Sequence, residues 1–334
     1  AGISFCEQLN ANGKTFVVFD NASQQASLVA GGLYNPVVLK RFTPVWKNKL
    51  QLEIALKRYK QLEQKLKVKL DYKSPVYRKF ASIEEQNDWF TASDKPNLSA
   101  YLSTNLIKNK HKHIEAPFGF GEVLQSGRID TQTLIKSYRT HLKTNHLLFE
   151  DDFTYQTLAY HNGLYRFKNI TAKHILFTEG FGMKKNPFFN NLPLVPTKGE
   201  LLTIHAPDLK IDFVLKAGVF LIPLKNHLYS VGATYNWEDL THTPTTKAKE
   251  ALITKLNKII KCDYKVVNHV AGIRPTVKDR RPLVGTHKTR KNMFILNGLG
   301  TRGVMIGPYV AEALYNFIEK SVPLESEIDI KRFA

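Results

Sequence analysis

Cysteine is scarce in this chain: Cys6 and Cys262 are the only two among 334 residues. They are far apart and outside any CxxC or Cys/His spacing, which argues against a disulfide framework and a thiolate metal site. Both read as small buried hydrophobes. Long apolar runs are lacking as well. No stretch of roughly eighteen apolar residues occurs, and no basic-then-apolar leader is visible, so neither a membrane span nor a secretory signal is predicted and a cytoplasmic location is the default expectation. Acid is under-represented, with 29 Asp and Glu against 48 Lys and Arg, a net charge of +19. Such a field attracts phosphates, nucleic acid or acidic surfaces. With 43% hydrophobic residues the chain has enough apolar surface for a globular protein of one to three domains.

Much of the positive charge lies between Lys40 and Lys79, where lysines fill the polar positions around Leu52, Leu56, Tyr59, Leu62 and Leu66. That spacing predicts an amphipathic helix with a basic wet face. The face reads as solvated, with RNA contact as the alternative.

The opening "AGISFCEQLNANGKTFVVFD" predicts a short helix over residues 3–12, a left-handed Gly13, and a buried parallel strand whose carboxyl end, Asp20, faces a ligand crevice. The small-residue segment "NASQQASLVAGGLYNPV" reads as a loop lining a ligand, with Gly31 and Gly32 permitting close backbone approach. Ser82-Ile83-Glu84-Glu85 is a capping box for a helix through Trp89 and Phe90. "SGRIDTQTLIKSYRTHL" predicts a helix starting near Asp130, and "AKHILFTEGFG" a strand opening onto Gly180. From "PLVPTKGELLTIHA" through "GVFLIPLKNHLYSVGATYNW" the pattern becomes antiparallel, and a helix is predicted over 246–260. Near the end, "MFILN" runs through "GLGTRG" into a helix, so Gly298, Gly300 and Gly303 sit at a strand-to-helix turn able to face an anion or a polar ring edge.

In this order the pieces resemble the FAD-dependent oxidoreductases of the D-amino-acid oxidase and glycine oxidase family, over nearly the whole chain. The first twenty residues look like the end of a GxGxAG fingerprint with its ribose acid, and "ASLVAGGLYNP" and "FTEGFG" are similar to family elements beside the dinucleotide. The most specific match is "AGIRPTVKDRRPLVG" followed by "NGLGTRGV". The resemblance implies an α/β fold: a Rossmann-like FAD-binding domain (1–44, 116–195 and 262–334) with a second substrate domain built on an antiparallel sheet (45–115 and 196–261). It implies cofactor contacts at Gly2, Asp20, Ser27, Gly31, Gly32, Gly180, Gly298, Gly300 and Gly303, and a substrate carboxylate on Arg274, whose other reading is a salt-bridged structural arginine. Tyr34 and Tyr235 are candidates for lining the substrate pocket, with core packing as the other reading. The role of Arg302 stays open.

Some relatives attach flavin through a cysteine just after the "GIRP" region. Thr276 and Val277 stand there instead, so FAD is expected to be non-covalent. Pro223-Leu224 replaces the proline-arginine pair of many relatives, which puts the usual contacts there in doubt. The implied chemistry is oxidation of a C–N bond in a small amino acid or secondary amine by hydride transfer to flavin, with the flavin carrying the reaction. None of the eleven histidines is assigned a catalytic role, and no metal is expected. Two alternatives remain: the family's oxidase acting on a carboxymethylaminomethyl-modified tRNA base, and a flavin-free basic interaction module. A dinucleotide fold also needs a strand ahead of the first helix, so roughly ten further N-terminal residues with two fingerprint glycines are expected.

Overall fold

The computed structural model describes residues 1–333. Its helices are α1 (Gly2–Ala11), α2 (Ala26–Val29), α3 (Asn48–Leu66), α4 (Ile83–Ser93), α5 (Thr131–Thr144), α6 (Thr246–Asn257) and α7 (Gly303–Lys320). Three of them begin on side-chain caps that satisfy otherwise unpaired backbone N–H groups. The Ser82 hydroxyl accepts from the Glu85 N–H at 3.2 Å, Asp130 from the Thr133 N–H at 3.1 Å and Thr245 from the Ala248 N–H at 3.3 Å.

The lysine-rich segment forms α3. Leu52, Ala55, Tyr59 and Leu62 are buried at helical spacing, while Lys49, Lys57 and Lys60 face solvent. The Tyr59 hydroxyl donates to the Val304 carbonyl at 2.8 Å, tying this helix to the start of α7.

A seven-stranded mixed sheet runs in the order Lys265–Val277, Leu194–His205, Leu228–Gly232, Phe220–Pro223, Val214–Lys216, Val76–Lys79, Phe120–Val123. All its pairings are antiparallel except that of Val214–Lys216 with Val76–Lys79. Leu252 and Leu256 of α6 cover one face, packing in one apolar cluster with Leu202, Ile204, Leu221 and Val231. The antiparallel region over 196–261 is therefore present, but three of the sheet's strands come from beyond it, Val76–Lys79, Phe120–Val123 and Lys265–Val277. Phe120–Val123 and Lys265–Val277, expected on the dinucleotide side of the divisions at 116 and 262, pair into this sheet. Their partners lie far away in sequence, so no local pattern announces the pairing.

The parallel layer is smaller. Val18–Phe19 pairs in parallel with Leu148–Phe149, and Ile175–Phe177 in parallel with Met293–Asn297, which Leu283–Thr286 joins antiparallel. Met293–Asn297 is buried throughout and continues into α7, whose Ile306, Val310 and Leu314 pack on Phe5 of α1 and on Phe294 and Leu296. The strand expected across "KTFVVFD" is shorter and less buried than its composition predicts. Only Val18 and Phe19 make ladder pairs, both are half-buried, and Val17 is exposed. An apolar run fixes the tendency to extend, but burial requires neighbours on both faces and edges. The remaining edges of Val18–Phe19 and Ile175–Phe177 border the cavity described next.

Candidate functional site

A cavity of about 1950 Å³ lies between the parallel layer and the large sheet. Its wall includes the start of α1, the end of the first strand at Asp20, the small-residue loop around α2, the turn after Phe177, the Arg274 strand and the turn entering α7. Of the residues expected at a cofactor, Gly2, Asp20, Ser27, Gly31, Gly32, Gly180, Gly300 and Gly303 all line it. Gly300 shows why glycine stands there. Its φ of +57° is disfavoured for side-chain-bearing residues, and its N–H donates to the Pro275 carbonyl at 3.0 Å, tying the turn before α7 to the strand of Arg274.

Gly298 is a correction. It also has a positive φ, but it is buried behind the turn against Val277 and Leu283 and does not line the cavity. Its N–H is taken by the Asn297 side chain at 2.8 Å. Of the three glycines in "GLGTRG", this one serves packing.

Asp20 ends its strand at the cavity with its carboxylate on Arg139, while the Ala22 N–H donates to Asp20 Oδ1 at 2.9 Å. Arg139 also reaches Glu150 at 2.7 Å, so the acid belongs to a surface charge chain. Arg139 lines the cavity too and was missed in the sequence, because nothing in α5's pattern marks which polar residue faces a strand end. Ser27 is exposed on the cavity wall. Glu179, just before Gly180, has its carboxyl pushed up by burial despite hydrogen bonds from Asn186 and Tyr155.

Arg274 lies half-buried on the Lys265–Val277 strand, its guanidinium over the face of Gly199 on the neighbouring strand. Its Nη1 donates to the Thr234 carbonyl at 3.2 Å, and the guanidinium carbon stands 4.7 Å from the Tyr235 ring centroid. Burial lowers its pKa from the ordinary arginine value. Tyr235 is 58% exposed and stacks on Trp237 at 6.3 Å.

Behind the Tyr235 loop is a fully buried lysine. Lys198 Nζ donates to Asp239 at 2.5 Å, to the Thr243 carbonyl at 2.6 Å and to Thr241 at 3.3 Å, and its backbone bridges Asn236. Asp239 is held at about 2, chiefly by the Lys198 hydrogen bond with help from Thr241. This clamp holds the loop that follows Tyr235, beginning with Asn236. Its sequence signal, a lysine between apolar residues in "PLVPTKGELL", is only legible once the strand is known to be buried.

Tyr34 is the second correction. It is buried away from the cavity, with its hydroxyl donating to Asp71 at 2.7 Å and accepting from Lys73 at 2.9 Å. Burial and the Asp71 carboxylate raise its pKa. The core reading of that aromatic is the one the geometry supports. Arg302, whose role the sequence left open, lines the cavity half-buried and donates from Nη1 to the Asn35 carbonyl at 2.8 Å.

These residues fit FAD. The cavity exceeds the roughly 300–1,000 Å³ of ordinary small-ligand pockets, its wall is rich in glycine where a dinucleotide needs close backbone approach, and an exposed hydroxyl and a carboxylate stand on it at Ser27 and Asp20. No helix among the described residues is long and apolar enough to cross a membrane.

Comparisons with known proteins agree with this geometry. Glycine oxidase from Bacillus subtilis is 26% identical over 157 residues, 45% of this chain and 42% of the relative. The tRNA 5-methylaminomethyl-2-thiouridine biosynthesis bifunctional protein MnmC from Idiomarina loihiensis is 24% identical over 131 residues, 37% of this chain and 21% of the relative. The matched stretch thus spans less than half the length of each of these two relatives. The crystal structure of glycine oxidase from Bacillus cereus superposes with a TM-score of 0.77 at 16% identity, covering 96% of this chain and 92% of that one, which establishes the shared fold. A family profile described as FAD dependent oxidoreductase (DAO) matches residues 1–316, so the chain belongs to that family.

Proposed function

We propose that this protein oxidises a C–N bond of a small amino acid or secondary amine, with FAD held non-covalently along the cavity. The observation that carries the reading is Arg274: a half-buried guanidinium on the cavity wall, among the described residues without a carboxylate partner, and backed by an aromatic face. Only one of its donors is used, on the Thr234 carbonyl, so the fork remains able to take a substrate carboxylate through two parallel charge-assisted hydrogen bonds. Tyr235 fixes the plane of that fork, and the Lys198 clamp holds the loop that follows Tyr235. Gly2, Ser27, Gly31, Gly32, Gly180, Gly300 and Gly303 would hold the cofactor's backbone-facing parts, and Asp20 its ribose. FAD, when bound, supplies the hydride acceptor.

An amine that arrives neutral needs no general base, and none is assigned. Non-covalent attachment is supported by the absence of cysteine beside Thr276 and Val277, and by Cys6, whose thiol burial pushes up to about 12. We retain the proposed division into an FAD-binding part and a substrate part, with Phe120–Val123 and Lys265–Val277 as strands that cross between them. The test is an absorbance spectrum of the purified protein, then anaerobic titration with N-substituted glycines and other amino acids. Flavin bands that bleach with at least one of these are expected; a protein that neither carries nor takes up FAD refutes the reading.

A second reading keeps the chemistry and changes the carrier: a carboxymethylaminomethyl-modified base in tRNA presents the same carboxylate and secondary amine. The net charge of +19 and the solvent-facing lysines of α3 support it, as does the resemblance to MnmC.

A further inference from the structure

Two guanidiniums line this cavity, and the substrate carboxylate proposed above answers only one of them. The arginine ion pairs among the described residues are those of Arg78, Arg139, Arg281 and Arg332; Arg274 and Arg302 have none. Arg302 sits at the cap of α7, on the cavity wall, with the Asn35 carbonyl as its hydrogen-bond acceptor. The two arginines are brought to the same part of the cavity wall by the Gly300 N–H, which donates to the Pro275 carbonyl at 3.0 Å and so ties the turn that ends in Arg302 to the residue after Arg274. Burial lowers the pKa of Arg302, and the Arg280 cation adds to the effect, so its neighbourhood within the protein is more positive still.

Removing a charge from water without a partner is unfavourable, and a protein that does so twice at one cavity relies on its ligand for the counter-charges. With the phosphates of FAD assigned to the Gly2 and Ser27 part of the wall, one carboxylate on a neutral amine leaves a positive charge unanswered. Two acidic groups balance both guanidiniums.

We propose that Arg302 forms a second anion position beside Arg274, and that the amine taken at this site carries two acidic groups, one for each guanidinium. The compound class is that of N-carboxymethyl amino acids with a second carboxylate, of which iminodiacetate is the smallest. The inference rests on the amine-oxidising reading for the nature of the substrate, but its anion requirement is measurable without oxidation.

The experiment is calorimetric titration of the FAD-loaded protein with thiodiacetate and with (methylthio)acetate, a pair that differs by one carboxylate and offers no C–N bond to oxidise. Wild-type protein is expected to bind the dianion at least about tenfold more tightly than the monoanion, as a further charge-assisted pair provides. In Arg302→Met that ratio falls to within about twofold, and Arg302→Lys restores part of it. Flavin absorbance and thermal melting establish that each variant is folded and loaded. Equal affinities in the wild type overturn the proposal, as does an Arg302→Met variant that keeps the ratio or sheds FAD while keeping it. A parallel test exposes the enzyme anaerobically to iminodiacetate and N-methylglycine. If the binding ratio holds but neither these amines nor any of the wider panel named above bleaches the flavin, the second anion position stands and the amine-oxidising reading fails.

Discussion

Gly199 and Arg274 sit diagonally across two paired strands, and the guanidinium fills the space in which a side chain at 199 would begin. The absence of one Cβ therefore determines where the candidate carboxylate ligand lies. A Gly199→Ala change is predicted to displace the guanidinium and weaken binding of a carboxylate ligand about tenfold or more, the size of one hydrogen bond to a charged group, with the circular dichroism spectrum unchanged. Arg274→Met is expected to lose at least as much, in the same calorimetric measurement. Elsewhere on the cavity wall, Asp20→Ala is expected to weaken FAD retention about tenfold by the same reasoning, read by equilibrium dialysis of the flavin. That Arg274 and Asp20 line the cavity was legible in the sequence, since each belongs to a short local motif. Tyr34 and Gly298 were not, because whether a side chain or a turn faces ligand or core depends on what the remote chain places behind it. For Tyr34 that is the Asp71 and Lys73 pair, and for Gly298 the Val277 and Leu283 side chains.

Among the elements, the loop that carries Tyr235 depends on a residue from another strand. Lys198 holds Asp239, Thr241 and Thr243 while Glu200, on the same strand, accepts from the Thr245 N–H and hydroxyl. Lys198→Met is predicted to lower the melting temperature and to loosen Tyr235 from Arg274, so that carboxylate affinity falls together with stability. The pH dependence has a definite sign. Asp239 is depressed from 3.8 to about 2, so its contribution is present in full above about pH 3.8 and is lost as the pH falls toward 2. Acid unfolding curves of the Lys198→Met variant should lose that component. Helix starts at Ser82 and Asp130 were readable because a cap and the N–H that donates to it lie three residues apart. The Lys198 clamp joins residues some forty positions apart, and the large sheet recruits strands across both expected divisions, so neither is written in any local stretch.

For the molecule as a whole, the excess positive charge and the order of the glycine-bearing turns were the features most fully expressed in composition and pattern. The order of turns carried the family. The charge is distributed, and its meaning depends on where it faces: in α3 Lys49, Lys57 and Lys60 point outward while Tyr59 and Leu62 hold the helix to the core. If a modified tRNA is the carrier of the amine, affinity for unfractionated tRNA should fall steeply between low and physiological salt, with a log–log slope set by the phosphates contacted. Filter binding across a salt series measures this, and tRNA affinity absent even at low salt removes that reading while leaving the small-amine one intact.

The three tryptophans occupy different surroundings. Trp89 is fully buried with its N–H on the Ser103 carbonyl, and Trp46 is held by Glu327, whereas Trp237 is 59% exposed and stacked on Tyr235 at the cavity. Indole emission depends on polarity and on nearby quenchers, so the first two give a steady background and the third a variable signal. The pair formed by Trp237 and the Tyr235 ring beside Arg274 is thereby an optical gauge built into the fold: with Trp46 and Trp89 replaced by phenylalanine, the remaining emission would follow each ligand as it enters.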